Sequence, residues 1–233
     1  VLHSGEGDGW DINRPSMSSV LMHHGRLYLI DAGPNLETIL NSLGIGINEI
    51  EGVFQTHAHD DHFAGLTTLM QADHRIKFLA APLVRASVTR KLSALLRIDE
   101  DDFVHYFDPI DLIMDEWNDV AGLEASPTYS PHPVETTIFK FRAEGPNGYR
   151  TYAHLADIAS FQVLDDMAAS PIPGLPEDLT ARTRESYLEP ANLKKLDIGG
   201  GLIHGMAADF DNDHSDKIVL AHIARQLTLD EEE

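Results

Sequence analysis

Gly52-Val53-Phe54-Gln55 leads directly into Thr56-His57-Ala58-His59-Asp60-Asp61-His62, and Phe63 to Gln71 then reads as a helix. A short buried strand therefore delivers three histidines and two aspartates onto a strand-to-helix turn. Two imidazoles one residue apart on such a turn can meet one cation, while Asp61 and His62 turn toward a second position. Imidazole nitrogen and carboxylate oxygen suit Zn²⁺, Fe or Mn²⁺. The competing explanation, a solvated polar loop in a His-rich chain, accounts poorly for so many titratable groups directly behind an apolar strand.

Outward from this turn the first third alternates strands and helices. Ser18–Met22 and Leu27–Ile30 are β-rich runs flanking His23-His24-Gly25-Arg26, which predicts a hairpin. Asp31-Ala32-Gly33-Pro34 breaks the second run, and Asn35 to Leu43 is helical in pattern, with Gly44 at its C-cap. Ile76–Ala80 predicts the next strand. Pro82 opens a helix whose core face is Val84, Val88, Leu92, Leu95 and Leu96. Asp99 to Asp102 is an acidic loop. Later strands are predicted at Val120–Glu124, Thr136–Arg142, Tyr149–Ala153 and Lys217–Ala221, with a turn at Gly145–Gly148. Helices are predicted at Ser160–Ala169 and Glu177–Leu188, separated by the stiff Pro171–Pro176 loop. No linker interrupts the pattern, so residues 1–233 read as a single α/β domain.

Composition narrows the function classes. The 233 residues carry 17 Lys+Arg against 38 Asp+Glu, a formal net charge of −21, which argues against a nucleic-acid partner. An apolar fraction of 42% is enough for a large core. There is no Cys, which excludes disulfides, thiolate metal ligands and a Cys nucleophile. No apolar run reaches the ~18–20 residues of a membrane span, and no secretory pattern opens the chain, so a soluble, cytoplasmic protein is the expectation.

Thr-His-x-His-x-Asp-His after an apolar strand, preceded by Ile30-Asp31-Ala32-Gly33, resembles the metallo-β-lactamase superfamily. The resemblance implies a four-layer αβ/βα sandwich with two divalent metal ions at one sheet edge, Zn first, with Fe or Mn as alternatives. It implies that His132, in Ser130-Pro131-His132-Pro133, joins His57 and His59 at the first ion. Asp157, behind the Tyr149–Ala153 strand, would bridge; His154 competes for that place, though a neutral imidazole cannot bridge two cations. Asp61, His62 and His204 would hold the second ion. The chemistry implied is hydrolysis by a bridging hydroxide, oriented by Asp61 as the catalytic carboxylate. Asp31 and Asp60 are candidates for fixing imidazole tautomers, or are plain turn acids.

Two features refine the resemblance. His59 stands where flavodiiron oxidoreductases have Glu, which favours hydrolysis over oxygen reduction. Asp61 replaces the Cys of the main true β-lactamases and is similar to the ribonuclease Z, glyoxalase II and lactonase branches. The acidic chain lacks a basic insertion to grip RNA; Arg85, Arg90, Lys91 and Arg97 form either a local patch or a solvated helix face. Gly199-Gly200-Gly201 offers backbone N–H groups to an anion or simply makes a tight turn. Tyr129, Tyr152 and Tyr187 are candidate donors to a substrate oxygen or ordinary tyrosines, and His23, His24, His74, His105, His214 and His222 receive no role. The run Asp209 to His222 resembles metallo-β-lactamase domains joined to cyclic-nucleotide-binding modules in signalling proteins, which suggests that this chain, stopping at the acidic Asp230–Glu233, is a domain excised from a longer protein. The expectation is a metal-dependent hydrolase of a small ester. A phosphodiester, cyclic-nucleotide-like, is preferred over a carboxylic ester, thioester or lactone, and the alternative is a diiron oxygen or redox sensor.

Overall fold

A computed structural model describes residues 1–171, 174–201 and 203–228. Ile172 and Pro173 of the stiff loop, Leu202 beside His204, and the acidic end Asp230–Glu233 lie outside the described residues.

The first half forms a sheet of β1 (Leu2–Gly5), β2 (Ser18–His23), β3 (Arg26–Ile30), β4 (Ile50–Phe54), β5 (Ile76–Ala80) and β6 (Phe107–Asp111), hydrogen-bonded in that order. β1, β2 and β3 pair antiparallel, and β3 to β6 run parallel. The second half forms β7 (Asn118–Val120), β8 (Leu123–Ser130), β9 (Thr136–Gly145), β10 (Gly148–Leu155), β11 (Leu193–Asp197) and β12 (Ile218–Ala221), again in sequence order across the sheet. Here β7 to β10 are antiparallel, and β10, β11 and β12 run parallel. Among the described residues the helices are α1 (Leu36–Leu43), α2 (Asp60–Phe63), α3 (Leu66–Leu69), α4 (Pro82–Leu96), α5 (Phe103–Tyr106), α6 (Phe161–Ala169) and α7 (Glu177–Leu188).

Strand alternation explains the layers, because successive side chains face opposite sides of a sheet. In β3 to β5, Leu29, Val53 and Phe78 pack with Leu36, Leu40, Val84, Val88 and Leu92 of α1 and α4. Their neighbours Tyr28, Ile30, Phe54 and Leu79 instead meet Phe139, Phe141 and Tyr152 of the second sheet. In that sheet Ile138, Ala153 and Leu155 turn to Leu164 and Tyr187 of α6 and α7. Three apolar seams between four layers make the expected αβ/βα sandwich.

Four local expectations are corrected. The helix expected over Phe63–Gln71 is α2 and α3, broken at Gly65. There the chain presses on the β3 turn so closely that a Cβ would stand 2.3 Å from the Gly33 carbonyl oxygen. The strand expected at Val120–Glu124 contains a hairpin turn: Ala121 and Gly122 take positive φ between β7 and β8. Leu95 and Leu96 are exposed, so the buried apolar face of α4 ends at Leu92. Finally, β1, β6 and β11 have no counterpart in the sequence reading. β6 carries Pro109 and is tolerated as a sheet edge, and β11 is disguised by two buried lysines, considered below.

Candidate metal centre

Six chain segments reach one edge of the sandwich as they leave the carboxyl ends of β3, β4, β8, β10, β11 and β12, where open α/β sheets place their ligands. The turn after β3 supplies Asp31, held at φ 63, with its carboxylate buried. It accepts from the Thr56 backbone N–H at 2.8 Å, the Thr56 hydroxyl and His62 Nδ1 at 2.7 Å. Gln55 Nε2 adds bonds to the carbonyls of His57 and His62, at 2.7 and 3.0 Å. The motif loop is thus clamped from beneath.

These bonds also decide which nitrogens face inward. His62 donates Nδ1–H to Asp31, so Nε2 points at Asp61 Oδ2, 3.1 Å away, and Asp157 Oδ1, 3.0 Å away. The Thr56 hydroxyl donates to Asp31 and accepts from His57 Nδ1 at 2.9 Å, which turns His57 Nε2 inward. That atom lies 3.4 Å from Asp157 Oδ2. His132 Nε2 is 3.3 Å and His59 Nδ1 3.9 Å from the same oxygen. The two oxygens of Asp157 therefore face two different sets of side chains.

His57, His59, His132 and Asp157 form one group able to hold an ion; Asp61, His62, Asp157 and His222 form another. All but one of the expected residues are brought together in these two groups. The exception is His204. It sits in a third group with Asp197 and His222, donating Nδ1–H to Asp197 Oδ2 at 3.1 Å and standing 4.0 Å from Asp157. The His of the second group is His222, whose Nε2 lies 3.3 Å from Asp61 and 3.5 Å from Asp157. The reading gave His222 no role, although it follows directly on the expected final strand. Position behind a strand was the signal that could have found it.

The other candidates separate as follows. Asp31 touches the centre through His62, whereas Asp60 is exposed and pairs with Lys91. His154 is buried against the Tyr152 hydroxyl, 2.9 Å away, outside the three groups. Arg85 and Arg90 pair with Asp111 and Glu100, so the basic helix face is largely neutralised. Tyr152 and Tyr187 are buried against Ser19 and Ser130, and Tyr129 is partly exposed. Gly199 N–H goes to Asp197 Oδ1 at 2.8 Å and Gly200 N–H to Gly205 O at 2.9 Å, so the glycine run is a tight turn.

The residues fit cations on three counts. His57 Nε2, His62 Nε2 and Asp157 Oδ1 are buried without a hydrogen-bond partner, and a buried polar atom normally has one. His59 Nδ1 and His132 Nε2 face each other at 3.1 Å, a contact that needs a proton or a cation to hold it. Apart from His59, at 3.9 Å, the separations from Asp157 and Asp61 of 3.0 to 3.5 Å are also those of neighbouring donors around an ion with bonds near ~2.1 Å.

Charge says the same. Burial opposes ionisation of Asp61 and Asp157, yet the neighbouring imidazoles, His62 foremost, hold both below the usual carboxylate range. Burial likewise opposes charge on His62, but Asp157, Asp61 and Asp31 lift its pKa well above the ordinary value. His222 is raised to about 9, against its own burial, by Asp157, Asp61 and Asp197. His57 is pulled down to about 4 by burial and by His62. The buried acids draw positive charge inward, and divalent ions supply it without protonating the donors. A cavity of 810 Å³ opens elsewhere, near Tyr129, Lys140 and Ser186, and contains none of these residues. Donor chemistry, rather than concavity, marks the centre.

Comparison with known proteins agrees with this architecture. The metallo-beta-lactamase superfamily model matches residues 12–86. The cGMP-dependent 3′,5′-cGMP phosphodiesterase A of Dictyostelium discoideum is 24% identical over 136 residues, 58% of this chain and 16% of that protein. The cAMP/cGMP-dependent 3′,5′-cAMP/cGMP phosphodiesterase B of the same organism is 23% identical over 168 residues, 71% of this chain and 15% of that protein. The chain spans about a sixth of the length of these curated relatives. The metallo-beta-lactamase fold protein YhfI from Bacillus subtilis superposes with a TM-score of 0.71 at 14% identity, covering 99% of this chain and 88% of that one. The chain has the metallo-β-lactamase fold, and the sequence matches support a place in that superfamily. Among the described residues no helix is long and apolar enough to cross a membrane.

Proposed function

We propose that this chain is a metal-dependent hydrolase of small phosphodiesters, cyclic nucleotides foremost. His57, His59, His132 and Asp157 would hold one divalent cation, and Asp61, His62, His222 and Asp157 the second. The observation that carries this reading is the split of Asp157, with Oδ2 toward His57 and His132 and Oδ1 toward His62 and His222. Zn²⁺ suits the all-His/Asp donor set, and Fe or Mn fits the same donors. The phosphodiester class is supported by the two Dictyostelium phosphodiesterases, and the hydrolytic class by the superfamily match.

When bound, two such ions supply Lewis acidity for a phosphoryl oxygen and for water. The chain's own residues do the rest. Asp61, held as a carboxylate, accepts a hydrogen bond from the attacking water and aims it. Asp31 and Thr56 lock His62 and His57 in the tautomers that present Nε2. His204 is partly exposed at the rim and gives Nδ1–H to Asp197, which fixes the orientation of its ring.

The test is turnover of 3′,5′-cyclic GMP, 3′,5′-cyclic AMP, bis(p-nitrophenyl) phosphate, p-nitrophenyl acetate and a lactone by protein loaded with Zn²⁺ or Mn²⁺. The phosphodiesters should be hydrolysed and the carboxylic esters not, with activity lost on chelation and in His59→Ala. Full turnover by folded, metal-stripped protein or by His59→Ala overturns the reading.

A further inference from the structure

The segment between β1 and β2, residues 6–17, passes directly over Asp61 at Gly9. Gly9 has φ +83 and lies so close that a Cβ would stand 2.4 Å from Cβ of Asp61. No other residue type fits that approach without displacing the carboxylate.

The segment is braced at several points. Gly7 N–H bonds Pro15 O at 2.8 Å, Asp8 Oδ1 accepts from the Trp10 N–H at 3.2 Å, and Asp11 Oδ1 accepts from the Asn13 N–H at 2.9 Å. Arg14 Nη1 donates to Ile223 O at 2.8 Å and Ile223 N–H to Glu6 O at 3.0 Å, which ties the segment to the residue after His222. Asn35 Nδ2 holds Ile12 O at 2.8 Å. On this fixed arch Trp10 is 92% exposed and Ile12 84%, the two most exposed large apolar side chains among the described residues. Trp10 is one peptide unit from the glycine that touches the centre.

An indole held in water on a braced loop contributes nothing to the core, but it carries a π-face one residue from the glycine that packs on Asp61. We infer that Trp10 is a specificity-determining residue that stacks on the purine base of a nucleotide whose phosphodiester reacts at the metal centre. The inference rests on the proposed function for its reaction, and on the arch geometry for its ligand. Because the loop is already braced, stacking needs little further ordering, which favours binding of a flat ring.

Two measurements test it. The chain has two tryptophans, so Trp117→Phe leaves Trp10 as the sole indole reporter. Its fluorescence should be quenched saturably by 3′,5′-cyclic GMP and unchanged by methyl ribofuranoside 3′,5′-cyclic phosphate, which lacks the base. In steady-state kinetics Trp10→Ala should raise KM for cyclic GMP about tenfold at nearly constant kcat. It should leave the base-free diester unaffected, and Trp10→Phe should recover most of the loss. An unchanged KM for cyclic GMP overturns the inference while leaving hydrolysis intact, as does a change confined to oligomeric state, which would make Trp10 a contact between copies. If the loaded protein hydrolyses no phosphodiester, the proposed function fails, and the fluorescence titration still decides whether Trp10 stacks on a base.

Discussion

Replacing His222 or His204 separately with alanine discriminates between the two candidates for the last donor. His222 is almost fully buried, and its Nε2 lies 3.3 Å from Asp61 and 3.5 Å from Asp157. His204 lies 4.0 Å from Asp157 and is bonded to Asp197 instead. Loss of an outer-shell partner typically weakens metal affinity by about 10–100-fold. Loss of one of four donors should exceed that, so His222→Ala is expected to weaken the second ion by more than about 100-fold, or roughly 3 kcal/mol. His204→Ala should cost the second ion no more than about tenfold, the low end of the outer-shell range. The assay is elemental analysis after dialysis, followed by Zn²⁺ titration against a competing chelator, with circular dichroism to confirm folding. Wild type and His204→Ala should retain two tight ions per chain and His222→Ala one. The reverse pattern, with His204→Ala losing an ion and His222→Ala keeping both, would refute the reasoning and restore the ligand set expected from sequence.

Three further outcomes follow from particular contacts. Asp31→Asn should lower kcat by about 10–100-fold without changing which ions bind, because the amide cannot accept all the bonds that orient His62 and Thr56; kinetics with metal analysis checks this. Gly65→Ala should destabilise the fold by about 1–3 kcal/mol in urea denaturation, since its Cβ would meet the Gly33 carbonyl at 2.3 Å. Lys195 is fully buried among neutral oxygens, and burial pushes its pKa down from 10.5 to about 7. Between those values the unfolded chain holds a proton that the folded chain lacks, so the lysine's contribution to stability improves as pH rises. The stability of wild type relative to Lys195→Met should therefore increase by about 1.4 kcal/mol per pH unit from pH 7.5 to 9.5, and a flat or falling difference would count against it.

β11 shows where local pattern gives out. Leu193-Lys194-Lys195-Leu196-Asp197 lacks the alternation that marks a half-buried strand, yet both lysines are fully buried. Lys194 reaches the Tyr187 carbonyl at 2.9 Å and pairs with Asp213, and Lys195 reaches the carbonyls of Gly5 and Ser18 across the sandwich. Partners so far away in sequence cannot be inferred from composition or periodicity. The broken helix at Gly65 has the same origin, a close approach to the β3 turn. By contrast the β2–β3 hairpin, α1 with its glycine cap and α4 with its opening proline follow local rules and lie where periodicity puts them.

The amino-acid sequence by itself determined the dense His/Asp turn and the local patterns of the β2–β3 hairpin, α1 and α4, since each depends on neighbours in the chain, and it holds no Cys for thiol chemistry. Tertiary structure alone decided which distant side chains complete the centre. His204 and His222 are indistinguishable as isolated letters, and only the parallel pairing of β11 with β12 sends one to Asp197 at the rim and the other to Asp61 and Asp157. The physical reason is that a donor's place is set by the direction in which its strand ends and by the hydrogen bond its other ring nitrogen makes, and both belong to the packed sheet rather than to the local chain.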